Sequence, residues 1–347
     1  MNIYKTNINK LFYIFLTTHL IVWTLIPTLS NQNLPLDTIE ALAWGSNLDW
    51  GFNKHPPASA FFVEIFYNIF GSSDWAYYFL SQIFIIFSFF IVWKFSYEFL
   101  RNKNLSLFSV LLLETIYFYN FTSPEFNVNV CQLPFWALTV YYSWKLYSKK
   151  NIDVKDCALL GVFAAFGFLS KYLFIYLLVS IDLLFFYLIF IKKDRRYDHK
   201  YIIPLVVFIV LLIPHLFWLI KNDFITVSYG LHRSGLSEPN IIDHLKHPII
   251  FFGKQIVILI PFFILASFIV SKLKFNMKFA DKKLFFLIVV NMLPIFLIFL
   301  TSLILGAKIR TMWMTPFYLF FGTLLVYIFQ KNIDLKKIKN FYFVFIF

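Results

Sequence analysis

Residues 34–57 read LPLDTIEALAWGSNLDWGFNKHPP, a polar, tryptophan-rich stretch between long apolar segments. It holds three acids (Asp37, Glu40 and Asp49), the neighbours Lys54 and His55, and a Pro56-Pro57 step. Ionisable and rigid residues gathered beside lipid-like sequence mark this stretch as the expected reaction centre of an integral membrane protein.

Composition supports the membrane reading. The 347 residues are 60% hydrophobic and 22% aromatic but only 14% charged, against roughly a quarter charged in soluble domains. A formal charge of +13 raises the question of nucleic acid. The basic residues, however, stand in short clusters between apolar runs, which is membrane topology and not a nucleic-acid face.

Runs long enough to cross about 30 Å of hydrocarbon as helices fall near 11–29, 78–98, 105–121, 130–147, 157–170, 172–191, 202–220, 250–270, 284–305 and 312–330, with a last one opening at Phe341. The expected fold is all-α and polytopic, a bundle of about 10–11 transmembrane helices with two short interfacial helices in its first outer loop. With the amino terminus cytoplasmic, the basic connections fall on one side: Arg101/Lys103, Lys149/Lys150/Lys155, KKDRRYDHK at 192–200, SKLKFNMKFADKK at 271–283 and KNIDLKKIKN at 331–340. That side carries most of the 31 lysines and arginines, so the positive-inside rule sets the orientation. Lys5 and Lys10 resemble the start of a signal peptide, but no small-x-small cleavage site follows, so the first helix is read as uncleaved. Cys131 and Cys157 fall in or at the start of helices, so no disulfide is expected. No internal repeat appears, and residues 1–347 are read as one domain. The chain stops at Phe347 without a polar flank, which fits either an abrupt end or a missing carboxy-terminal part.

The non-cytoplasmic segments are then 30–77, 122–129, a turn at Ser170-Lys171, 221–249 and 306–311. In the first, Asp37 fits an N-cap and Glu40, three residues on, its reciprocal partner. A second short helix is expected from about Pro57 to Phe70, stopped by Gly71. Trp44, Trp50 and Trp75 suit the membrane interface, being apolar rings with one donor.

Each candidate has a plain structural reading beside its chemical one. Asp37 is a helix cap or a general base aimed at an acceptor. Lys54 snorkels to the interface or meets a phosphate as a compact charge held rigid, with His55, by the prolines. Glu125, in TSPEFNVN at 122–129, is a solvated acid or a second carboxylate at the site, with Asn127 beside it. Lys171 is the polar residue a hairpin turn demands, or a further cation. Lys308 and Arg310 in GAKIRTMW are interfacial anchors or an anion site, where a guanidinium grips phosphate oxygens in pairs. His215, His232, Arg233, His244 and His247 lack the spacing of a zinc site. With no Gly-rich phosphate loop or Cys/His metal pattern, no cofactor is assigned and a divalent metal stays open.

The early Asp with an acid three residues on, followed by WGFNKHPP before an amphipathic helix, resembles the family-39 glycosyltransferases. These include relatives of the dolichyl-phosphate-mannose protein mannosyltransferases and of the lipid A aminoarabinose transferases. SPEFNVNVCQLPFWAL, FLSKYLFIYLL, PHLFWLIKNDF and KIRTMWMTPFYLFFG look like later blocks of the same group. The resemblance implies a C-type glycosyltransferase fold, a polyprenyl-phosphate sugar donor and inversion at the anomeric carbon. It also implies Asp37 as base and Lys54 on the donor phosphate, with Glu125 standing where relatives often have Asp and Arg310 near their late basic residue. The expected function is transfer of a sugar to an envelope acceptor at the outer face of a bacterial inner membrane, with lipid A or a related glycolipid favoured over protein. The competing class is a lipid or sugar transporter, which places ionisable groups at the bilayer midplane and carries repeats.

Overall fold

The computed structural model describes residues 7–149, 151–194, 196–236, 240–270, 281–334, 336–338 and 342. The last apolar run, opening at Phe341, falls almost wholly outside them, as does most of the basic cluster at 271–283.

The described residues are helical almost throughout. The chain opens with α1 (Ile8–Ser30), then α2 (Leu36–Gly45) and α3 (Ala58–Phe70) in the first loop, and α4 (Asp74–Leu100). There follow α5 (Lys103–Leu111), the single turn α6 (Val128–Cys131), α7 (Leu133–Ser148), α8 (Val154–Ser170) and α9 (Ile175–Phe186). The remainder is α10 (Ile203–Lys221), α11 (Ile225–Arg233), α12 (Asp243–Ile269), α13 (Lys282–Leu305) and α14 (Phe321–Phe329). Among the described residues, six helical segments are long and apolar enough to cross a membrane: α1, α4, Tyr172–Ile191, His199–Lys221, α12 and α13. Thr311–Tyr318 and Phe321–Asn332, bent by 49°, make a seventh if they form one span. The protein is therefore an all-helical, polytopic membrane protein.

Of the segments expected as spans, two are broken and a third is a short continuous helix. Residues 105–121 begin as α5 and then tighten into short 3-10 turns at Leu112–Thr115 and Tyr117–Tyr119. Residues 130–147 enter through α6 and the 16-residue α7, and 157–170 form the 17-residue α8. These shorter pieces fill the interior: Phe108, Leu112, Phe118 and Trp136 are almost fully buried. In contrast Val206, Val210, Phe217, Val257, Phe263 and Phe268 on α10 and α12 stand exposed, as lipid-facing residues do.

Local chemistry explains the elements that frame the site. Pro57 precedes α3, and Gly71 ends it at φ +65°, a left-handed value that costs glycine nothing. Gly45 lets α2 approach α3, since an added Cβ would lie 3.0 Å from the Ala60 carbonyl. α14 meets α5 at Gly322, where a Cβ would fall 1.9 Å from the Ser109 carbonyl. Cys131 and Cys157 are buried and free.

Candidate functional site

The first loop is folded onto the second. Pro35 presets its own φ and lets the chain turn helical at Leu36, so Pro35 holds the cap position and has no side chain to cap with. Asp37 therefore lies in the first turn of α2 and is not its N-cap, and the expected Asp37–Glu40 capping box does not form. The cap comes from elsewhere: the Asp37 backbone N–H donates to Glu125 Oε1 at 3.3 Å, putting a carboxylate at the positive end of the helix. Thr38 Oγ1 donates to the Phe126 carbonyl at 3.1 Å. Asn127 caps α6 through Asn129 N (2.9 Å) and Val130 N (3.2 Å), and its amide donates to Glu125 Oε2 at 3.2 Å. The Asp37 side chain is thus free for chemistry, while Glu125 is held.

Around these carboxylates stand the cations. Lys54 donates to Glu40 Oε1. Lys171, only 4% exposed, donates to Asn129 Oδ1 at 2.5 Å and lies 5.2 Å from the centre of the Trp313 ring. The turn at Ser170-Lys171 therefore aims its cation inward. Arg233, at the end of α11, acts on Asp37 through its charge.

The electrostatics set the two acids apart from ordinary surface carboxylates. Burial raises the pKa of Asp37, and the charge of Glu40 raises it further, against the pull of Lys171, Lys54 and Arg233. Burial likewise raises Glu125, as does the charge of Asp37, while the Asp37 N–H and Asn127 act to lower it. The hydrogen bond to Glu40 raises Lys54. Burial lowers Lys171 to about 7, opposed by Asp37. His55 is pushed down to about 3 by burial and by the charges of Lys171 and Lys54. It is neutral at working pH, packed edge-on to Trp44 and Tyr229. A phosphate contact from His55 is accordingly a neutral hydrogen bond and not an ion pair.

Asp37, Glu40, Trp44, His55, Ser59, Asn127 and Val128 enclose a cavity of about 10 Å³, roughly the room of one water. A sugar does not fit there.

The late loop is placed beside α11. Lys308 is exposed, and its backbone N–H donates to the Ser234 carbonyl at 2.9 Å. Arg310 starts the 3-10 turn that carries Trp313, and its Nε is buried without a hydrogen-bond partner. Neither side chain pairs with Asp37 or Glu125 among the described residues. The late loop reaches those acids through Trp313 and Lys171.

Several anchors escaped the sequence reading. His215, noted there only as lacking the spacing of a zinc site, is fully buried. Its Nδ1 lies 2.6 Å from the Trp50 carbonyl and its Nε2 2.8 Å from the Tyr172 hydroxyl. A carbonyl only accepts, so Nδ1 carries the proton and Nε2 accepts from tyrosine. Thr226 donates to the Phe52 carbonyl at 2.6 Å. Between these anchors, Gly51 passes so near Trp218 that a Cβ would lie 2.3 Å from its ring. His244 and His247 brace the late loop through the carbonyls of Leu303 (3.1 Å) and Gly306 (2.7 Å). Proline and glycine in WGFNKHPP and the FW pair after His215 were the visible traces of this clamp; the pairing across more than 160 positions was not. Among the described residues no group of three His, Cys, Asp or Glu is arranged to hold a metal ion.

A helical membrane bundle that bears paired carboxylates and lysines in folded-back loops defines the class of protein. Residues 54–218 match the family model described as dolichyl-phosphate-mannose-protein mannosyltransferase. The match includes Lys54, His55, Glu125, Asn127 and Lys171, while Asp37, Glu40, Lys308 and Arg310 lie outside it. No curated protein and no solved structure matches the chain.

Proposed function

We propose that the protein is an inverting membrane glycosyltransferase that moves a hexose or pentose from a polyprenyl phosphate to an envelope acceptor. The observation that carries this reading is the half-buried Asp37 carboxylate, freed from capping because Glu125 caps α2 in its place. The similarity of residues 54–218 to the mannosyltransferase family supports the donor class.

In this reading Asp37 takes the proton of the acceptor hydroxyl as its oxygen bonds to the anomeric carbon from the face opposite the phosphate. The bond from that carbon to the phosphate oxygen breaks, and the polyprenyl phosphate leaves with the electron pair. Lys54 offsets its charge, aided by Arg310 and Lys308 from the late loop. Glu125 holds the start of α2, and Lys171 balances the acids. A lipid acceptor, lipid A or a related glycolipid, suits a site built at a membrane loop, with catalysis at the periplasmic face. Transfer to protein is the second reading, favoured by the protein-mannosylating family to which residues 54–218 are similar.

The donor half is testable without knowing the acceptor. Purified wild-type protein is expected to bind a fluorescent short-chain polyprenyl phosphate, and Lys54→Met to bind it at least about tenfold more weakly. Equal binding by both rejects the role of Lys54; no binding by either rejects the donor class.

A further inference from the structure

A second polar network crosses the apolar interior, and the chemistry above makes no use of it. His19 of α1 is 4% exposed, and Gln82 of α4 and Ser123 of the second loop are fully buried. His19 Nδ1 lies 2.5 Å from Glu114 Oε1, and its Nε2 lies 3.1 Å from Gln82 Oε1. The Gln82 oxygen only accepts, so Nε2 carries a proton, while Nδ1 stands at ion-pair distance from Glu114 Oε1. The Gln82 amide donates to Ser123 Oγ at 3.1 Å, and Ser123 Oγ donates to the Asn120 carbonyl at 2.8 Å. The Ser81 hydroxyl donates to the Ser123 carbonyl. Asn120 closes the ring by donating to the Glu114 carbonyl at 2.6 Å.

The network ends two residues before Glu125. Beyond it, Thr38 and Asn127 hold the other side of the same turn. We infer that His19, Gln82 and Glu114 are positioning residues: they lock Ser123, and through it they set the Glu125 carboxylate against the start of α2. Polar groups this deep in a membrane protein are costly unless every partner is in place, and here the partners converge on one turn. The inference rests on the transferase reading only for the catalytic consequence; the geometric claim stands apart from it.

Both parts are tested separately. In a background of Cys131→Ser and Cys157→Ser, Glu125→Cys reports on the turn by its rate of reaction with a methanethiosulfonate reagent, and Ser46→Cys at the end of α2 serves as control. Adding Gln82→Met is expected to speed modification at 125 at least about fivefold by local opening, with the rate at 46 unchanged. Ser81→Ala, which removes one hydroxyl only, is expected to give a smaller rise in the same direction and serves if Gln82→Met fails to fold. An unchanged rate at 125 in the folded variant overturns the inference. In the enzyme with its native Glu125, Gln82→Met is expected to lower kcat about 10- to 100-fold with donor KM unchanged. A faster rate at 125 with kcat intact would keep the positioning and reject Glu125 as a group the reaction needs.

Discussion

The exchange of capping roles between Asp37 and Glu125 decides what each acid can do. An Asp that capped its own helix would be spent on backbone N–H groups; with Glu125 in that place, Asp37 keeps its lone pairs for an acceptor. Asp37→Asn is expected to lower transfer at least about 100-fold. The same change should not lower thermal stability. A carboxylate whose pKa is raised in the folded protein contributes stability below its unfolded pKa, and that contribution is lost as pH rises through the folded value. At neutral pH an uncharged Asn therefore costs the fold nothing electrostatic, which a melting curve in detergent checks. The raised pKa also places the acid limb of the pH–rate profile above the ordinary Asp range near 3.8, with activity lost as the pH falls through it. Glu40→Gln removes a charge that raises Asp37 and frees Lys54, which lowers it, so the limb should move to lower pH. A limb that stays in place or moves up assigns it to another group. The candidate acids and Lys54 were legible in one short stretch because they are local; Asn129 and Arg233 were not, since their value comes from Lys171 and Asp37 reaching them across the fold.

Among the elements, α3 was legible to within a residue because Pro57 and Gly71 punctuate it. The start of α2 was misread by two residues, because proline at the cap position satisfies backbone geometry that Asp37 was expected to serve through its side chain. Segments 105–121 and 130–147 looked like unbroken spans because apolar content does not show where a helix breaks. The loop clamp is the element that most constrains the site. His215→Phe should remove the imidazole partner of the Trp50 carbonyl and of the Tyr172 hydroxyl, at roughly 1–3 kcal/mol, and expose residues 48–55 to protease before the helices unfold. Gly51→Ala should do the same by collision with the Trp218 ring. If either variant melts and resists protease like the wild type, the clamp does not hold the loop.

At the scale of the molecule, the helices act as a frame that lets loops far apart in sequence share one small centre. α1 and α4 hold the second loop from beneath, α10 and α11 hold the first, and α12 braces the late loop. The ionisable groups of the candidate site gather at loop ends, whereas His19, Asp182 and His215 stand within long spans. Transfer of a sugar to an envelope lipid with Asp37 as base is the activity proposed for this centre. It is tested most directly by mass spectrometry of envelope glycolipids from cells making either the wild-type protein or Asp37→Asn at equal levels. A glycolipid that is one sugar lighter in the mutant is the expected result, and it fixes sugar mass and acceptor together. Identical glycolipid profiles would contradict a lipid acceptor and turn attention to glycosylated protein.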